Sequence, residues 1–193
     1  MVDDGGEAYM IYTVWQPVGN PKMRTHMSVE LLTPDYLGSA MKASAVFSSN
    51  VTLSGVEAPA LIKRKGVYYA LFGHGCCFCK TGSGVNVFTS TTSPLGPWSN
   101  SSVDIGCAPV AKGSSVDVRD CASFATAQQT GVFDVATPNG TVQVWHGDRW
   151  QSAPDKLKAH DLQYWGVMSW DDSTMPPRPR HLVFEDVFGI TLA

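Results

Sequence analysis

Apolar and β-branched residues recur at a spacing of two almost from one end of this chain to the other, and that period constrains the fold more than any other feature. A period of two places alternate side chains on opposite faces of an extended strand. It predicts strands over 8–15, 27–32, 60–63, 67–72, 85–89, 124–127, 132–135, 142–146, 163–170 and 181–184. Lys65-Gly66 and Pro138-Asn139-Gly140 read as hairpin turns, and Thr33-Pro34-Asp35 and Ser93-Pro94-Leu95-Gly96-Pro97-Trp98 as strand ends. Helical periodicity is nearly absent; only 153–160 has room for a turn or two. Short strands with Gly and Pro punctuation indicate a sandwich, a barrel or a propeller, and their grouping into clusters of roughly three or four favours propeller blades.

Charge narrows the partners. Only 16% of residues are charged and the net charge is −3, so nothing attracts polyanions, and no nucleic-acid partner is expected. The one basic run, Lys63-Arg64-Lys65, reads as a solvated hairpin tip. No apolar stretch approaches the ~20 residues of a membrane span, so no membrane partner is expected. Met1-Val2-Asp3-Asp4 lacks the basic and apolar regions of a signal peptide, and the strand pattern begins at once, as though the chain opened mid-domain.

Five cysteines (Cys76, Cys77, Cys79, Cys107, Cys121) are too few and odd in number for a disulfide scaffold. Cys107 and Cys121 bracket a loop whose closure by a disulfide would stabilise the fold by about 3 kcal/mol. Sequons at Asn50, Asn100 and Asn139 lie in turn-like context and tilt the reading towards an extracellular, secreted protein.

Several residues are candidates for chemistry. Glu57, in Gly55-Val56-Glu57-Ala58-Pro59-Ala60-Leu61, sits among small and apolar residues directly before a strand. Partial desolvation there would raise its pKa, which suits a general acid; the plain alternative is a surface Glu capping a loop. The run Gly73-His74-Gly75-Cys76-Cys77-Phe78-Cys79 is rich in soft ligands but lacks the second pair that zinc needs, so it reads as a disulfide-bearing or pocket-lining loop. Val144-Trp145-His146-Gly147-Asp148-Arg149-Trp150 offers aromatic faces and hydrogen-bonding charges for a sugar, or else a core turn. Gln128-Gln129 puts two amides in an apolar strand, one of them facing inward and needing partners. Tyr164 and Trp165 form an aromatic pair of the kind usually found in cores, and His160 reads as a loop residue.

Taken in order, these pieces resemble glycoside hydrolase family 43, a family of five-bladed β-propellers, and within it the exo-β-1,3-galactanase branch. VDDGGEAYMIYT (2–13) resembles the blade start V-D-D-D-G-x-A-Y-L-I-Y, and MSVELLTPDYL (27–37) a strand ending L-x-x-D-Y-L. VEAPALIKRKGVYYALFGHGC (56–76) is similar to E-A-P-A-x-F-K-R-x-G-x-Y-Y-L-F-x-S-G-C. SPLGPW (93–98), AQQTGVF (127–133) and HGDRW (146–150) match S-P-L-G-P-W, the S-Q-x-T segment and G-D-R-W.

The resemblance implies an all-β fold in which residues 1–193 form the later part of a propeller, roughly blades two to five, with the first blade missing. It implies an inverting, exo-acting hydrolase of β-1,3-galactan or a related galactose- or arabinose-containing polysaccharide. Glu57 matches the general acid, and Gln128 the Gln proposed to position water in place of a base. His74, Cys76, Trp150 and Trp165 are expected to bind substrate around the same cavity. Asp3 and Asp4 match the blade-start turn; the Asp that tunes the acid and the usual base would both precede Met1. Where the family continues its S-G-C loop with a sugar-touching Trp, this chain reads Cys76-Cys77-Phe78-Cys79, which leaves the sugar open. No cofactor is called for and no metal ligands are assigned; a structural calcium ion stays open. The rival readings are a non-catalytic carbohydrate-binding propeller and a fragment without activity of its own.

Overall fold

The computed structural model describes residues 1–15, 25–48, 56–74, 82–107 and 124–193, with the backbone alone at positions 74 and 102. The described residues form antiparallel meanders in chain order. The first sheet holds β1 (Tyr9–Trp15), β2 (Thr25–Leu32) and β3 (Ser39–Ala43). The second holds β4 (Val56–Arg64), β5 (Val67–His74), β6 (Asn86–Ser90) and β7 (Ser99–Asp104). The third holds β8 (Gln128–Thr137), β9 (Gly140–Arg149) and β10 (Leu162–Val167). A short pair, β11 (Trp170–Asp171) and β12 (Arg178–Pro179), follows. The only described helical segment is a single 3-10 turn, Lys158–His160, within the stretch where the sequence allows one.

The sheets stack face to face as propeller blades do, with β4 packed against both β1 and β8. Between the second and third sheets lies the largest core, in which Tyr69, Leu71, Val87, Ile105 and Trp145 are fully buried. Between the first and second sheets, Met27, Val56, Phe72 and Phe88 form a second core. Phe47 bridges to Met27 of the first sheet, yet its ring lies 5.4 Å from Phe88 and 5.3 Å from Trp98.

Three expectations change. Strands β3 and β7 have sequences too polar (SAMKA, SNSSVD) for period-two reading to find, because each pairs on one side and faces solvent. Residues 124–127 form a turn and 181–184 join no ladder. Their apolar side chains serve packing instead: Phe124 meets Trp145 edge-on at 5.2 Å, and Leu182 is buried in the core between the second and third sheets, its backbone N–H donating to the Ile105 carbonyl at 2.8 Å. The basic run is not simply a solvated tip. Lys65 is exposed, but Lys63 reaches Asp3 and Asp4 of the first sheet's entry turn, and Arg64 makes a two-pronged pair with Asp172 beyond β11 at 3.1 and 2.6 Å. Asp3 also accepts from Tyr68 Oη at 2.7 Å, so the Asp-Asp-Gly-Gly turn is pinned to the second sheet.

Asn139 and Asn100 are exposed, on a hairpin turn and on β7; Asn50 lies outside the described residues. Cys107 is disulfide-bonded. The expected partner, Cys121, lies outside the described residues, as do Cys76, Cys77 and Cys79. Among the described residues no helix is long and apolar enough to cross a membrane.

Candidate active site

The site begins where β4 is irregular. Pro59 has no N–H to give the ladder, and the β4–β5 register shifts between Glu57 and Ala60. Ala58 takes up the extra length with φ +52°, a left-handed conformation that costs an L-residue about 1–2 kcal/mol. The bulge is held by Gln129, whose Nε2 donates to the Ala58 carbonyl at 2.8 Å while its Oε1 accepts from Trp145 Nε1 at 3.2 Å. Gln129 is the inward-facing amide of the pair, 1% exposed, and both ends of its side chain are bonded.

Gln128 turns the other way. Its Nε2 donates to Glu57 Oε2 at 3.4 Å, and its Oε1 accepts from Trp150 Nε1 at 2.7 Å. An indole N–H can only donate, so the amide oxygen must face Trp150 and the NH2 must face Glu57. All three residues are half-buried, and Lys158 Nζ lies 4.7 Å above the Trp150 ring.

Two glycines make this approach of strands feasible. A Cβ on Gly147 would meet the Gln128 carbonyl and the Trp145 ring, each at 2.5 Å. A Cβ on Gly73, which pairs with Glu57, would collide with Ser83 Oγ, the acceptor of the Gln129 N–H at 3.1 Å. Thr126 and Gln151, on the loops before β8 and after β9, also have positive φ, at 47° and 60°. Backbone outliers of this kind cluster at functional sites.

Two residues beyond Glu57, Pro59 begins to line a cavity of 420 Å³ that β1, β4 and β8 share, with Tyr9, Leu61, Val132 and His146 in its wall. Burial holds the His146 imidazole below its ordinary pKa, with Asp148 partly opposing. Among the described residues, no three His, Cys, Asp or Glu side chains are placed to hold a metal ion.

Of the residues singled out in the sequence, the structure brings together Glu57, Gln128 and Trp150. His74 ends β5 opposite Val56, next to Glu57, with its side chain outside the description; Cys76 lies outside the described residues. Trp165 does not join this chain of bonds. It sits on β10, two strands out from β8, half-exposed, with its ring edge-on to Phe133 at 5.3 Å. Strand alternation identified the aromatic pair but not which face each ring would take. Sequence reading also passed over Ser83, whose hydroxyl anchors the backbone of Gln129.

No protein-family model and no curated protein matches the sequence; the likeness is to solved structures. An exo-β-1,3-galactanase from Clostridium thermocellum superimposes with a TM-score of 0.63 at 24% identity, over 94% of this chain and 32% of that one. A β-1,3-galactosidase of glycoside hydrolase family 43 gives 0.64 at 22%, over 96% and 32%. An endo-1,4-β-xylanase from Bacteroides thetaiotaomicron gives 0.63 at 18%, over 100% and 60%. The chain therefore has the propeller-like fold of family 43 structures and spans about a third of the length of the first two. Galactan and xylan enzymes match it equally well, so the fold alone does not select the sugar.

Proposed function

We propose that this chain, with the fold of the family 43 glycoside hydrolases, is the acid-bearing part of an inverting glycosidase domain. Its substrate is β-1,3-galactan or a related galactose- or arabinose-containing polysaccharide. The observation that carries the reading is the Trp150–Gln128–Glu57 hydrogen-bonded chain at the starts of β4 and β8. Glu57 protonates the glycosidic oxygen as its bond to the anomeric carbon breaks. A water held by Gln128 attacks that carbon from the opposite face, and inversion follows from this single displacement. Trp150 is a positioning residue, since its N–H fixes which end of the amide Gln128 presents. Substrate entry must part Gln128 from Glu57, because an acid and a water-holding group work ~6.5–9.5 Å apart. The disulfide at Cys107 and the exposed sequons support extracellular action.

A second reading is a propeller that binds carbohydrate without turnover. It is favoured by the composition of the bonded chain, which holds one carboxyl, one amide and one indole.

The test is release of galactose from β-1,3-galactobiose, followed by proton NMR so that the first anomer formed is seen. Glu57→Gln should lower the rate by about 10³-fold or more while leaving binding in place. Turnover that survives this substitution overturns the assignment of Glu57. Binding without any turnover favours the second reading.

A further inference from the structure

Beside Trp150 lies a cation, Arg149, that no carboxylate among the described residues neutralises. Arg149 ends β9 half-buried, and its Nε is buried without a hydrogen-bond partner. Among the described residues no carboxylate pairs with the guanidinium. The adjacent Asp148 accepts from Gln163 at 3.0 Å, and both Asp161 oxygens are taken by the Gln151 and Ala153 N–H groups at 2.9 and 3.0 Å. Arg149 instead lines a 240 Å³ pocket with Trp150, Thr126, Gln151 and Ser152, and no described carboxylate is in that wall. Lys158 Nζ lies 4.7 Å above the Trp150 ring, where it also acts on the Asp161 carboxyl.

From this arrangement we infer that the Arg149 pocket is a subsite for an acidic sugar, a uronic acid unit of the polysaccharide. A planar guanidinium matches a carboxylate with two parallel hydrogen bonds, and an indole face matches the C–H surface of a pyranose. A neutral hexose could offer the guanidinium only single hydroxyl acceptors, which match neither its charge nor its fork geometry. The uronate carboxylate satisfies both, and the hydroxyl and amide groups of Thr126, Ser152 and Gln151 suit the ring hydroxyls. The inference rests on reading this rim as a sugar site. It adds that the sugar bound next to the Glu57–Gln128 pair carries a negative charge.

Two probes that differ only at C6 test it: methyl β-galacturonide and methyl β-galactoside, titrated at pH 7 and low salt into the 193-residue chain. The readout is the Trp150 indole N–H resonance. The galacturonide is expected to bind about 10- to 100-fold tighter, the range for hydrogen bonds to a charged group. Arg149→Gln should equalise the two probes, and Arg149→Lys should keep only part of the difference. Equal affinity in the native chain overturns the inference, as does a preference that Arg149→Gln leaves intact. Failure of the galacturonide to saturate, or displacement by sulfate as readily as by free galacturonide, also overturns it. If Arg149→Gln does not fold, Arg149→Lys and the native salt titration decide, since the preference must shrink in both. The readout is binding, so it stands if no galactan is hydrolysed; conversely, Glu57-dependent turnover of neutral galactan stands if the uronide shows no preference.

Discussion

The indole N–H of Trp150 donates to Oε1 of Gln128 at 2.7 Å, and this bond holds the NH2 end of the amide towards Glu57. An ionised Glu57 favours the NH2 end by itself, and the Trp150 donor holds the same orientation when Glu57 carries its proton and could donate to the amide oxygen instead. Trp150 thus acts on Glu57 through Gln128.

Trp150→Phe keeps the ring but removes the donor. Turnover of β-1,3-galactobiose in a catalytically competent form should fall about tenfold, with stability lowered by only about 0.5–1.5 kcal/mol. Steady-state kinetics beside urea denaturation separate the two effects. A loss of stability with unchanged kinetics would show that Trp150 packs and does not position.

Gln129→Leu should be the more damaging change to the fold. It strands the Ala58 carbonyl and the Trp145 N–H in the interior, for about 2–4 kcal/mol in urea unfolding. Gln128→Leu, at a half-buried position, should cost about 1 kcal/mol or less, so the ratio of the two is the check.

Gly147→Ala should destabilise by about 1–3 kcal/mol, since the new Cβ meets the Gln128 carbonyl and the Trp145 ring. Gly5→Ala, where nothing lies within 4 Å, should stay within about 0.5 kcal/mol of the parent. Thermal melts of the pair test whether close approach, and not backbone freedom, is what position 147 requires.

Acid should lower the stability of the protein, and two of the groups responsible, Asp3 and His146, act in separate pH ranges. Burial pushes the Asp3 carboxyl up, but hydrogen bonds from Lys63 and Tyr68 outweigh it and hold the group below its usual range. The folded carboxyl thus binds a proton more weakly than the unfolded one. That stability is complete above about pH 4 and is lost as pH falls through the lowered value. His146, lowered by burial, acts at higher pH, with stability present above about pH 6.5 and lost below it. Asp3→Asn should cost about 1–2 kcal/mol at neutral pH and shrink the low-pH loss, to which the lowered carboxyls of Asp35, Asp155, Asp161, Asp171 and Asp172 also contribute, while leaving the His146 contribution in place; the urea midpoint against pH reads both.

Much of the architecture was legible because strands β1, β2, β5 and β9 carry their period in aromatic and β-branched residues. Strands β3 and β7 were not, since an exposed edge places no apolar demand on its sequence. Glu57 and Gln128 could be named from motifs, but their meeting could not, for 71 residues separate them. The same distance problem hid the roles of Lys63 and Arg64, whose acidic partners lie 60 and 108 positions away. Arg149 was legible as one of the hydrogen-bonding charges of the 144–150 run, but not that its Nε is buried without a hydrogen-bond partner, because the packing around it is set by distant strands.

Phe47 belongs to the first sheet by its backbone and to the second by its ring, set among Phe72, Phe88 and Trp98. The seam between these two sheets is consequently a poor place to recombine or cut the gene. A swap made between Phe47 and Val56 would pair one parent's aromatic plug with another parent's socket. Chimeras should tolerate crossovers better at the Pro138-Asn139-Gly140 turn, where all three residues are exposed.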